Sequence, residues 1–156
     1  MTNLAAKLAE LGLVLPQPPV AVAAYVPYVI AGNFVFISGQ LPMENGELKY
    51  RGSVGKDIDL ASARAAAQLC ALNLLAQINA ACDGDISRVV RCVKLGGFVV
   101  SAPDFYDQPQ VANGASELME KIFGEAGRHA RTTVGVSHLP KNASVEIDAI
   151  FEIELS

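Results

Sequence analysis

The most regular hydrophobic pattern in the chain lies at its end. Val145, Ile147, Ala149, Phe151, Ile153 and Leu155 alternate with Glu146, Asp148, Ile150, Glu152 and Glu154, the period-two signature of a strand with one buried face. The acidic row then faces the other way, towards solvent or a subunit interface. A helical period occupies the middle of the chain. Ala63, Ala67, Cys70, Leu74, Ile78 and Ala81 recur three and four residues apart between Asp59 and Cys82, which predicts one long helix with an alanine-rich stripe able to lie close to a sheet. "DGD" at 83–85 ends it.

The remaining elements are placed by turn and cap signals. "AAYVPYVIAGNFVFISGQLP" (23–42) predicts two strands joined by a tight hairpin at Gly32-Asn33. Pro27 has no amide donor, so the first strand belongs at an edge or is bulged there. Asn45-Gly46 in "MENGEL" signals a second turn. A short helix is predicted over 3–11, with Asn3 as its N-cap and Gly12 as its stop, followed by an extended linker at "PQPP" (16–19). "RVVRCVKLGGFVVS" (88–101) is a long β-branched strand in which Gly96-Gly97 marks a bulge or a close approach. "DFYDQPQVANGASELMEKIFGEAG" (104–127) is a loop leading into a helix at about 110–125, and the closing strands fall at roughly 131–137 and 145–155. Two ββα-type halves make an α+β domain, with a mixed sheet covered on one side by two helices.

Composition narrows the classes. A chain of 156 residues suits one domain and can bury a core without disulfides or metal. It is 51% hydrophobic and 18% charged, apolar enough to expect a buried subunit interface. A net charge of −4 without a Lys/Arg run argues against a nucleic-acid partner. Cys70, Cys82 and Cys92 are an odd set without CxxC spacing and read as buried thiols in a reducing compartment. Lys7 and Glu10 interrupt the N-terminus, unlike a signal peptide, and no segment approaches the roughly 20 apolar residues of a membrane span. The expected location is cytoplasmic.

Reactive side chains are few. His129 and His138 stand nine residues apart without partner ligands, so no metal site is expected. His129 reads as a surface loop residue, and His138 as the close of a turn before "LP". Cys92, among valines, reads as core. GxSxG, P-loop and dinucleotide motifs are absent, and no cofactor is implied. Arg131 and Glu146 remain, with two readings open. One reading takes them as exposed charges on the outer face of a sheet, joined by a weak salt bridge. Alternatively, the planar arginine fork holds a small carboxylate while the glutamate, in the same pocket, activates a water.

"ARTTVGVSHLPKNASVEIDAI" (130–150) and "GNFVFISGQLP" (32–42) resemble two signatures of the YjgF/Rid family, the reactive intermediate deaminases, also known as L-PSP endoribonuclease-like proteins. The first follows A-R-[ST]-x-V-x-V-x-x-L-P-x-x-x-x-[VI]-E-[IV]-[ED]-A, and the second is a strand ending in S-G-Q-x-P. With the elements between them, the resemblance covers residues 20–156. It implies a chorismate-mutase-like (bacillus-type) α+β fold, assembled as a homotrimer whose three sheets form a central barrel with the active clefts between neighbouring subunits. It also implies cofactor-free hydrolysis of 2-aminoacrylate or 2-iminobutyrate to a 2-keto acid and ammonia, the ligand being a small imino or keto carboxylate.

On this resemblance Arg131 grips the substrate carboxylate and Glu146 positions the attacking water. Tyr25, eight residues before Asn33, lines the cleft, and Ser38 and Gly39 form the wall facing it. Many deaminase members carry a cysteine two positions after the arginine, where this chain has Thr133. Many carry an asparagine 17 positions before it, where Gly114 stands with Asn113 beside it. Thr133, Asn113 and Gly114 therefore join the substrate-contact candidates. An N-terminal helix extension of about residues 1–19 and the "FYDQPQ" insertion make the chain longer than compact members and mark a divergent branch. Two other functions fit the same residues: a non-catalytic binder of small carboxylates such as 2-keto acids, and an endoribonuclease or translation inhibitor, which the acidic charge opposes.

Overall fold

The alternating C-terminal segment becomes the central strand of a five-stranded sheet. In the computed structural model, which describes residues 3–21 and 23–156, β7 (Val145–Ile153) lies between β2 (Phe34–Gln40) and β5 (Val89–Val100), antiparallel to both. With β1 (Tyr28–Ala31) and β6 (Ala130–Val136) the strand order is β1-β2-β7-β5-β6. Val145, Ile147, Ala149, Phe151 and Ile153 are buried on the face covered by α2 (Leu60–Ala81) and α3 (Gln108–Phe123). Leu155, expected to extend that row, is exposed because strand pairing stops at Ile153. Met1, Thr2 and Val22, two of them in the N-terminal extension, lie outside the described residues.

The turn chemistry explains the hairpins. Pro27 immediately precedes β1, the edge strand, where its missing donor leaves no ladder bond unmade. Asn45 (φ 52°) and Gly46 (φ 78°) join the short strands β3 (Met43–Glu44) and β4 (Glu47–Leu48), and both take the positive φ of a two-residue hairpin turn. The Gly96-Gly97 pair gives close approach rather than a bulge. The register shifts of β5 fall earlier, at Val89/Arg91 and Cys92/Lys94. A Cβ on Gly97 would sit 3.1 Å from Thr133 Cγ2, and one on Gly96 would collide with the Asp148 carboxylate.

Asp59 caps α2 by accepting from the Ser62 amide at 2.8 Å. The predicted stripe is buried, but so are Asn73 and Gln77 between its residues. The helix is enclosed by sheet, α3 and chain segments rather than simply amphipathic. The two amides satisfy backbone acceptors there: Asn73 Nδ2 donates to the Leu41 and Met43 carbonyls at 3.0 Å each, and Gln77 Nε2 to the Pro19 carbonyl at 2.6 Å. Cys70, Cys82 and Cys92 are buried free thiols. Burial holds Cys70 well above its ordinary pKa and pushes Cys92 up to about 12, which keeps both as unreactive thiols.

The second half departs from the expected ββα order. The chain runs β5, α3, β6, β7, with β6 parallel to β5. A parallel pair needs a crossover, and α3 is that crossover. The N-terminal helix α1 (Leu4–Glu10), capped by Asn3 Oδ1 accepting from the Ala5 amide at 2.9 Å, buries Leu4 and Leu8. Its Lys7 Nζ donates to the Ile122 carbonyl at 2.7 Å, placing a cation at the C-terminal end of α3.

Gly114 is buried where α3 crosses α2, and a Cβ there would lie 2.1 Å from the Arg64 carbonyl oxygen. Backbone cannot retreat as a flexible side chain can. Gly114→Ala should therefore cost about 1–3 kcal/mol, seen as a lower denaturant midpoint at unchanged slope.

Candidate functional site

Arg131 is the second residue of β6, in register with Leu95 of the adjacent β5. Its side chain lies on the helix-covered face, against α3, and not on the outer face that sequence alone suggested. Nη1 donates to Asn113 Oδ1 at 2.8 Å and to Ser116 Oγ at 3.1 Å, and Nη2 makes a longer bond of 3.4 Å to the Pro109 carbonyl. A guanidinium has five N–H donors. The N–H of Nε and one of Nη2 have no partner among the described residues, and these neighbouring nitrogens form an edge suited to a carboxylate. The surrounding pocket, about 340 Å³, is lined by Asn113, Ser116, Glu120, Arg128, His129 and Arg131.

His129 is half-buried rather than a free loop residue. Its Nε2 lies 2.8 Å from Ser116 Oγ and its Nδ1 lies 2.7 Å from the Gly127 carbonyl. Burial lowers its pKa below the ordinary value. The Gly127 hydrogen bond works against that shift, the Arg131 charge adds to it, and Glu120 opposes it. Ser116 escaped the sequence reading, and His129 was read there as a surface loop residue. The available signals were alternation, which puts His129 on the same side as Arg131, and helical spacing, which stacks Asn113, Ser116 and Glu120 on one side of α3. His138 is exposed just after β6.

Thr133, two residues beyond Arg131, faces the same side and packs on Gly97; its buried Oγ1 has no hydrogen-bond partner among the described residues. Asn113 reaches Arg131 directly. Gly114 does not, because its position serves the α2–α3 crossing.

Glu146 belongs to a second region. It alternates with the buried row of β7 and so lies on the open face of the sheet. The β2–β7 register breaks between Ile37 and Gln40, leaving Ser38 and Gly39 in the irregular stretch. A Cβ on Gly39 would collide with the Glu146 carboxylate, coming 2.7 Å from Cδ, so the bare glycine makes room for it. Ser38 Oγ donates to the Val26 carbonyl at 2.8 Å. Ser38, Gly39 and Tyr25 line a pocket of about 110 Å³ together with Leu41, Met43 and Lys141. Tyr25 is 51% exposed. Burial, and then the Asp148 charge, raise the Glu146 pKa, and burial raises that of Asp148.

Within one chain the two regions are apart. Glu146 is in register with Phe98 and Arg131 with Leu95, on opposite sides of β5. Three residues along and two strand spacings across separate their Cα atoms by roughly 14 Å, and their side chains leave opposite faces of the sheet. The salt bridge contemplated from sequence does not form. Among the described residues no cluster of three His, Cys, Asp or Glu could hold a metal ion, and no helix is long and apolar enough to cross a membrane.

A mixed sheet with its helices on one face, a pre-oriented arginine on an edge strand and a glutamate over an S-G-Q bulge define the class of YjgF-like α+β proteins. A family model described as YjgF/chorismate mutase-like, putative endoribonuclease, matches residues 5–153, and the chain belongs to that family. It is 45% identical over 152 residues to Protein TCP17 of Trypanosoma cruzi, covering 97% of this chain and 94% of that one. It is 33% identical over 139 residues to a 2-iminobutanoate/2-iminopropanoate deaminase of Dermatophagoides farinae, covering 89% and 93%. The crystal structure of Atu1372 from Agrobacterium tumefaciens, a protein of unknown function, superposes with a TM-score of 0.91 at 53% identity, covering 97% and 94% of the two chains.

The raised pKa of Glu146 has a definite sign for stability. Its folded form holds a proton more readily than its unfolded form, so stability falls as pH rises from the ordinary carboxylate range through the raised value. Glu146→Gln removes that penalty. The variant should melt above wild type at pH 7, and the difference should shrink as pH falls into the ordinary carboxylate range, as scanning calorimetry would show.

Proposed function

We propose that the protein is a cofactor-independent enamine/imine deaminase. It hydrolyses 2-aminoacrylate- or 2-iminobutyrate-type compounds to 2-keto acids and ammonia. The observation that carries this reading is the Arg131 guanidinium, fixed by Asn113 and Ser116 with one edge left open. The likeness to the Dermatophagoides farinae deaminase supports it at the level of the family.

In the proposed reaction the Arg131 edge binds the substrate carboxylate. Glu146 accepts a proton from water as its oxygen attacks the imine carbon, and returns that proton to the nitrogen to give the carbinolamine. Glu146 then takes the carbinolamine hydroxyl proton and passes it to the amino nitrogen as the C=O bond forms, the C–N bond breaks and ammonia leaves. An imine carbon is already electrophilic, so positioning substrate and one water supplies most of what is needed. A raised Glu146 pKa makes it a better proton acceptor than an ordinary surface carboxylate. Tyr25, Ser38 and Gly39 wall the Glu146 side.

Two regions on opposite faces meet only if copies assemble, and the reading therefore includes a homotrimer with each cleft shared between neighbours. The open face supports assembly: Val29, Phe34, Phe36 and Val134 are exposed apolar residues on or beside it. A hollow of about 550 Å³ runs between Phe36, Phe98, Thr132, Asp148 and Ile150. Isolated monomers rarely leave so much apolar surface in water. The three buried free thiols suit a reducing, cytoplasmic setting.

A second reading, binding of a small carboxylate without turnover, is favoured by Thr133 standing where deaminase members carry cysteine, since it uses the Arg131 region alone. An endoribonuclease reading, which the family description names, finds less support in a chain of net charge −4.

Light scattering at micromolar concentration should give about three times the 16.4 kDa chain mass, and a clean monomer would remove the shared cleft. In a coupled assay with freshly generated 2-iminobutyrate, wild type should release ammonia. Arg131→Lys should bind 2-ketobutyrate more weakly, because a point charge cannot reproduce the fork. Glu146→Gln should bind it normally but turn over at least about tenfold more slowly. Tight 2-ketobutyrate binding with no ammonia release from wild type would decide for the binder.

A further inference from the structure

The bonds around Ser116 form a directed chain. The Gly127 carbonyl can only accept, so the proton of the His129 ring sits on Nδ1, 2.7 Å away. In a neutral imidazole the other nitrogen is then an acceptor. Ser116, 2.8 Å from Nε2, therefore donates its hydroxyl proton to His129. That turns the oxygen lone pairs of Ser116 towards the Arg131 N–H, 3.1 Å away. Burial, by lowering the His129 pKa, keeps the imidazole neutral and the acceptor in place at neutral pH.

We propose that Ser116 and His129 are positioning residues for Arg131, fixing the plane of its guanidinium so that the Nε/Nη2 edge meets a ligand carboxylate. The proposal rests on the reading that Arg131 grips that carboxylate. A free serine hydroxyl rotates and can present its hydrogen as readily as its lone pairs. His129 removes that freedom, because it is an acceptor fixed by Gly127. Arginine carries a large rotamer entropy, and a side chain ordered before binding loses less on binding. Asn113 holds one N–H of Nη1, and the Ser116–His129 pair holds the other. Asn113 and the longer 3.4 Å bond to the Pro109 carbonyl alone hold the guanidinium loosely, whereas the Ser116 bond completes the set that fixes its plane. Neither Ser116 nor His129 needs to touch the ligand, and both act through Arg131.

The test is 2-ketobutyrate binding by calorimetry on the full chain at pH 7.5, with a thermal melt of each variant. Ser116→Ala should weaken binding roughly tenfold, in line with loss of one hydrogen bond to a charged group. Ser116→Thr, which keeps the hydroxyl, should bind within about twofold of wild type. His129→Leu should weaken binding about three- to fivefold, and His129→Gln, which restores an acceptor, should recover most of it. The Ser116→Ala/His129→Leu double variant should bind no more weakly than Ser116→Ala alone, because histidine acts only through serine. A merely structural role would give additive losses that track the melting temperature. Ser116→Ala binding as wild type, or additive effects of the two changes, overturns the positioning chain. Arg131→Ala serves as the reference. If it too binds 2-ketobutyrate as wild type does, the carboxylate reading falls and the positioning role with it. If it binds weakly while Ser116→Ala is unchanged, only the positioning role falls.

Discussion

Burial of one face of β7 is the constraint on which the rest of the structure depends. Val145, Ile147, Ala149, Phe151 and Ile153 lie under the helices in the middle of the sheet, and side chains of a strand alternate strictly between faces. Once that row is inside, Glu146, Asp148 and Glu152 have to leave the opposite face. A slip by one residue would bury three carboxylates under α2, at a cost no domain of this size could offset. The hydrophobic register therefore places the candidate catalytic glutamate as firmly as it places the core.

The same constraint divides the site. The helix face is covered, so a side chain on it can be held by helix groups, and Arg131 is held in this way by Asn113 and Ser116. The open face has no helix, and Glu146 is instead accommodated by the irregular Ser38-Gly39 stretch of β2. Each half is well ordered by local means, yet one chain cannot bring them together. On the proposed reading, the apolar open face and the divided candidate site are both met by a neighbouring copy.

Close approach is achieved by omission of side chains. Gly39 makes space for a carboxylate, Gly114 lets α3 descend onto the Arg64 carbonyl, and Gly97 admits Thr133. In each case the missing Cβ sets a distance that a functional group elsewhere uses: the position of Glu146, the depth at which α3 presents Asn113 to Arg131, and the packing of the β6 row. The buried amides of α2 act alongside them, since Asn73 and Gln77 tie down the chain on either side of the Tyr25 pocket. Stability and site geometry here share the same few residues.

Much of this was legible in the sequence. The alternation at 145–153, the capped span from Asp59 to Cys82, the Asn45-Gly46 turn and the short N-terminal helix depend on local periodicity and local hydrogen bonds, which a linear sequence records. The 130–150 signature marked both Arg131 and Glu146 for the same reason, because each holds a fixed place in a strand flanking one short turn. Other features depend on which elements meet. The parallel pairing of β6 with β5 follows from α3 acting as a crossover. The near-complete burial of α2 follows from what surrounds it. The capture of His129 by Ser116, thirteen residues away on another element, follows from the docking of α3 on β6. Periodicity says which side of an element is apolar, but not which neighbour covers it. The sequence by itself determined most of the elements, the buried row of β7 and the stripe of α2, and the arginine and glutamate that stand as candidates. Only the tertiary structure decided that the pair lies on opposite faces of one sheet, because that separation is set by strand order across β5, and strand order leaves no trace in any local spacing.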